Sequence, residues 1–236
     1  MFQKHKEKKL REQQQHEHEQ HQHEAIAALR QLVAGLPNSE GVISTDGLRE
    51  FVEFATAHDI DLNTVPDLRR DVRLGLAQGG LFMETETSLL LKKDETPVLD
   101  VGVNLLKEVA DRRFEGGSQG VSIPIGSIHG RTVRYRVGEY RGHMVTVGHH
   151  WEPSDRGQLT VTDKRAVFHG SRKTLEFPFA KLATLNLYSD AIALGVTTRQ
   201  TTSMFGTGDP ELVAGLIHAA VAHQDDLTIM RMVFAD

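Results

Sequence analysis

Apolar positions along the chain recur with two different periods, and the period changes once. Ile26, Leu29, Val33 and Leu36 step by three, four and three, an apolar seam of helical spacing. Gly35 and Pro37 stop it, so the pattern predicts one helix ending near 34–36. Upstream, residues 1–24 are charged, Gln and His residues with almost no apolar side chains. Such a stretch buries no face, so on its own it is expected to be disordered or a fraying helix, and the upstream half of the helix solvated. Ser44, Thr45 and Asp46 are N-cap types, and Leu48, Phe51, Val52 and Ala55 form a stripe on one face of a second helix. Pro66 suits the first position of a third, lined by Leu68, Val72 and Leu76 and ended by Gly79-Gly80.

From about Leu89 the period becomes two. Strands are predicted at 98–109, 121–125, 133–137, 144–151, 159–162, 166–168, 175–179, 185–187 and 192–196. Asp163-Lys164, Gly170-Ser171 and Ser189-Asp190 mark turns between them. Asp209 and Pro210 then open a last helix with Leu212, Val213, Leu216, Ile217, Ala220 and Val221 on its apolar face. The expectation is an α+β protein: an antiparallel barrel or sandwich capped by a C-terminal helix and preceded by a helical region. Its segments are a polar helix (1–36), a small acidic helical segment (37–88), the strands with their helix (89–223) and an apolar tail (224–236). The tail either docks on its own domain or self-associates.

The local text carries a family resemblance. Gly157, Thr162, Asp163, Lys164, Arg165, Phe168, Gly170, Ser189, Asp190 and Ile192 stand where bacterial pleckstrin-homology-like (PH/GRAM-like) domains carry a recurrent pattern. Ala191 departs from it where Gly is usual. The resemblance spans about 89–222 and implies a PH-like barrel closed by one helix. Such domains bind lipids, peptides or other subunits, and the fold alone does not choose among them. No catalytic residue carries over.

Charge and composition narrow the classes further. The net charge of −5 argues against a dedicated nucleic-acid binder. The absence of cysteine excludes disulfides and thiolate sites. No run of 18 apolar residues suggests a membrane span, and the Lys/Gln/His-rich start has no apolar leader, so the expected location is cytoplasmic.

Several candidate sites read as ordinary structure. Gly116-Gly117-Ser118-Gln119-Gly120 matches G-x-S-x-G but lacks the following helix that a nucleophile elbow needs. His16, His18, His21 and His23 read as a solvated tract rather than a metal site, since zinc wants fixed ligands. His149 and His150 are adjacent strand residues that point to opposite faces. Gly206 to Asp209 reads as a turn and helix cap rather than an anion site. The sharpest basic window holds Arg131, Arg134, Arg136 and Arg141. The expected function is a non-catalytic binding or scaffold module with a protein partner, or with itself through Ile26, Leu29, Val33 and Leu36. The alternative is a peripheral membrane module reading anionic lipid through those four arginines. No metal or cofactor is expected.

Overall fold

The computed structural model describes the backbone over 2–128 and 131–231, and the side chains of residue 9, 12–109 and 150–231. Its contacts divide into two units, one of 1–105 with 155–236 and the other of 106–154.

The first unit opens with helix α1 (Phe2–Gly35), whose polar start continues without a break into the apolar seam. Helix α2 (Thr45–Ala57) starts where Ser44 accepts a hydrogen bond from the Gly47 N–H. That bond satisfies one of the amides a helix start leaves open. Helix α3 (Pro66–Gln78) begins on its proline, which needs no amide partner there. Leu29, Val33, Ile43, Leu48, Phe51, Leu68, Val72 and Leu76 are buried together, so these three helices share one apolar core.

A second core lies between a seven-stranded sheet and helix α4 (Pro210–Ala222). The strands are β2 (Pro97–Ile128), β3 (Arg131–Thr162), β4 (Arg165–Gly170), β5 (Thr174–Pro178), β6 (Leu182–Leu187), β7 (Ala191–Val196) and β8 (Ser203–Gly206). They lie in the order β5-β4-β3-β2-β8-β7-β6. A short parallel pair completes the unit, β1 (Leu81–Met83) with β9 (Thr228–Met230). Residues 227–230 of the apolar tail are therefore tied to their own chain, with Leu227 and Ile229 against the sheet core.

Three expectations change. The short strands foreseen between 98 and 162 are two 32-residue strands, β2 and β3. They are neighbours in the sheet, and an extended backbone does not need every side chain to follow the alternation. The segment 37–88, expected to be helical, ends in a short strand, β1, and residues 84–96 form a strap between it and β2, which starts at Pro97, beside the expected 98. Of the antiparallel barrel or sandwich expected, the sheet and its following helix are present, but the sheet is not closed and ends on β5 and β6. The β2–β8 pairing joins the two halves of the sheet, and aromatic side chains also link strands that are not neighbours. Phe205 of β8 meets Phe168 of β4 at 5.3 Å and Phe177 of β5 edge-on at 5.7 Å between ring centres.

The second unit, 106–154, is carried by the same two strands.

Candidate protein-contact edge

An open sheet exposes two rows of backbone hydrogen-bonding groups, and proteins normally blunt such edges. The β5 edge is engaged at Glu176. Arg199, in the turn between β7 and β8, donates to the Glu176 carbonyl at 2.6 Å and lies 4.9 Å over the Phe177 ring. The Glu176 carboxylate takes Lys92 Nζ at 2.6 Å and an Arg165 guanidinium nitrogen at 3.0 Å. The Lys92 hydrogen bond leads in holding that carboxyl below its ordinary value.

The β6 edge is different. Its residues, Leu182-Ala183-Thr184-Leu185-Asn186-Leu187, include no charge and no proline. Leu182 and Leu185 reach the core, while Leu187 and the following Tyr188 are 53% and 45% exposed. The strand is fixed at both ends. Lys181 O accepts from Thr197 N at 2.9 Å, and Tyr188 N donates to Ala191 O at 2.8 Å. Its inner side pairs with β7, every residue of which is buried, from Leu187↔Ile192 back to Thr184↔Gly195. A register shift between Leu182 and Thr184 confines the regular edge to its last four residues. Among the described residues, no loop or side chain from elsewhere hydrogen-bonds to the outer side of 183–187. The arrangement leaves an uncharged strand edge flanked by one exposed leucine and one exposed tyrosine. Chemically, it can accept an extended backbone and hold apolar side chains beside it.

The remaining charged clusters hold the scaffold. Burial alone would raise the Glu95 carboxyl, but the Arg165 guanidinium, the Lys92 amide and the Thr162 hydroxyl together lower it to about 2. Burial likewise opposes ionisation of Asp155. The Ser171 hydroxyl and the amides of Arg172, Lys173 and Arg156 outweigh it and set that carboxyl at about 2. Arg70 of α3 forks onto Asp209, the cap of α4, at 2.6 and 3.0 Å, and reaches Glu211 at 2.9 Å. That bonding lowers the Asp209 carboxyl and raises the Arg70 guanidinium. The Glu95, Asp155 and Asp209 carboxylates are held ionised by their donors, the opposite of a general acid poised near neutral pH.

The four arginines of the basic window, Arg131, Arg134, Arg136 and Arg141, fall on β3 but outside the residues whose side chains are described. Ser118 and its glycines fall on β2 with the same limit, as does His149 on β3. His150 is exposed and shares a 2.9 Å hydrogen bond with Glu152. The turn before α4 is a cap, as its sequence suggested: Asp209 accepts from Leu212 N and carries Arg70.

The seam offered for self-association faces inward. Leu29 and Val33 are fully covered in the helical core, and Ile26 and Leu36 are packed at its margin. The physical reason is proximity. Residues 37–44 turn the chain so that α2 and α3 come to the seam before any second copy does. What the sequence reading missed is the β6 edge. The available signal was a run of apolar, hydroxyl and amide residues without charge between Lys181 and Asp190. It also missed the strap 84–96, which holds Leu90 out at 91% exposure and Leu91 at 39%.

No family model matches the chain, and no curated protein matches it either.

Proposed function

We propose that this protein is a non-catalytic binding module that takes an extended segment of a partner protein onto the β6 edge of a PH-like sheet. The observation that carries the reading is the contrast between the two edges. Arg199 bonds the backbone of one, where Lys92 and Arg165 hold the Glu176 carboxylate; the other is uncharged, ends on Leu187 and Tyr188 and, among the described residues, takes no hydrogen bond on its outer side. Unmanaged edges invite pairing with another chain, so an open edge on an otherwise protected sheet marks a place for one.

The PH-like assignment is supported by the strand order. β2 to β5 form one meander, β6 to β8 form another, and the first strand of one lies beside the last of the other. A single helix follows the last of these strands, its Val213, Leu216 and Ile217 buried on the sheet core. The saturated carboxylates described above favour a binding role over acid–base chemistry. No described helix is long and apolar enough to cross a membrane.

The test is selection from a displayed library of unstructured peptides against the purified full chain. The reading expects enriched peptides with alternating apolar residues, whose binding is lost in Leu187→Lys/Tyr188→Lys. Failure to enrich any peptide, or binding unaltered by that double change, contradicts it.

A further inference from the structure

We propose a divalent transition-metal site, of the zinc class, built from His21 of α1 and His58 at the C-terminal end of α2. The placement follows from how the two helices meet. Ala25, Leu29 and Val33 are buried one turn apart along α1, and His21 is the next position on that row. Phe51 and Ala55 are buried on α2, and His58 is the next position on that face, three residues past Ala55. Each row runs out of apolar residues at the rim of the shared core, and each ends there on a histidine.

The rings do stand together. Their centres are 6.3 Å apart, with 35° between planes. Zinc–nitrogen bonds of about 2.0–2.1 Å put two rings on one ion about 5–6.5 Å apart, so small side-chain adjustments suffice. The His58 ring is braced by Phe54, 4.4 Å away between centres, and the residue is half-buried. No described hydrogen bond occupies a ring nitrogen of either histidine, so the donor atoms a metal needs are uncommitted.

The site is a half-site until metal arrives. Among the described residues, no three His, Asp or Glu side chains are already gathered for an ion. Glu17 and His18 lie one turn before His21 on the same side of α1 and are exposed, so rotation of either brings a third donor without moving backbone. Two imidazoles with a carboxylate or a third imidazole suit Zn²⁺ better than Mg²⁺ or Ca²⁺. Bound metal would fasten the otherwise solvated part of α1 to α2. The ligand donated by α2 distinguishes this from loose binding by the His-rich tract alone.

The experiment is calorimetric titration of the full chain with Zn²⁺ in a non-chelating buffer, for wild type, His58→Ala and His23→Ala. His58→Ala leaves every histidine of the tract in place, and His23→Ala removes one that lies off the buried row. The expected result is one saturable site whose affinity falls at least about tenfold in His58→Ala, at or beyond the loss seen for outer-shell partners. His23→Ala should titrate as wild type. Thermal unfolding gives a second readout: Zn²⁺ should raise the midpoint of wild type and not of His58→Ala. No Zn²⁺ binding, equal binding by wild type and His58→Ala, or an equal loss in His23→Ala would overturn the proposal.

Discussion

Arg165 on β4 closes two parallel hydrogen bonds on the Glu95 carboxylate, 2.6 and 2.8 Å long, with both side chains withdrawn from solvent. The pair fastens the strap 84–96 to the sheet. Around it, Thr162 donates to Glu95 at 3.0 Å, Thr96 N donates to Asp163 at 2.9 Å, and Lys164 bonds the Asp94 carbonyl. Asp94 itself adopts a left-handed backbone, φ 56°, to make the turn. Removing one partner of a buried pair leaves the other uncompensated, so Glu95→Gln should destabilise the protein by about 3 kcal/mol at neutral pH. Denaturant unfolding measures this.

The same pair sets an acid response. The Glu95 carboxyl is lowered from 4.5 to about 2 in the folded protein. Its contribution is therefore fully present above pH 4.5, where the unfolded chain is also ionised, and is lost as pH falls toward 2. Unfolding free energy should rise with pH across that interval. In Glu95→Gln the slope should be shallower there and unchanged above it. Equal slopes in both proteins would remove Glu95 from the account.

Asp155 clamps the β4–β5 turn by accepting from Ser171 N at 3.2 Å, Arg172 N at 3.0 Å and Lys173 N at 2.9 Å. Asp155→Ala should remove that acceptor from all three amides, Ser171 N keeping only the Arg156 carbonyl at 3.3 Å. Hydrogen exchange at 171–173 is then expected to accelerate, while the amides of β7, buried throughout, keep wild-type rates.

Gly157 and Gly170 are register partners across β3 and β4. A Cβ on Gly157 would fall inside the His169 carbonyl and 2.5 Å from the Gly170 Cα, which are backbone atoms with no rotamer to yield. Gly157→Ala should cost about 1–3 kcal/mol or more, as overpacking does. A shift in the thermal midpoint would show it.

Leu29 is fully buried on the helical core. Leu29→Ala should destabilise by about 2–5 kcal/mol, through lost transfer energy and the cavity left behind. If the seam instead held two copies together, the same change would lower the oligomeric mass first. Light scattering beside denaturation separates the two.

Much of this fold was legible because it is local. Ser44, Pro66, Asp209 and Pro210 mark helix starts whatever surrounds them, and α2, α3 and α4 begin where those residues stand. The row at Ile26, Leu29, Val33 and Leu36 showed a helix with one buried side but not what would bury it, because that core draws on residues as distant as Met83 and Met230. Edge status was illegible for the same reason. Whether 182–187 is an inner or outer strand depends on the pairing of strands far apart in sequence, as in β2 beside β8. His58 drew no notice in the sequence, since only the packing of α2 on α1 brings it to His21. The long strand β2 was read as several because Gly116–Gly120 and Pro124 interrupt the alternation without ending the strand.

The central claim is that β6 receives a partner strand, and hydrogen exchange read by mass spectrometry tests it most directly. The full chain would be compared free and saturated with a selected peptide. Added backbone pairing should slow exchange in 183–188 and leave the β5 edge, already engaged by Arg199 at Glu176, unchanged. Unaltered exchange across 183–188 in the saturated complex, with protection elsewhere, would contradict it.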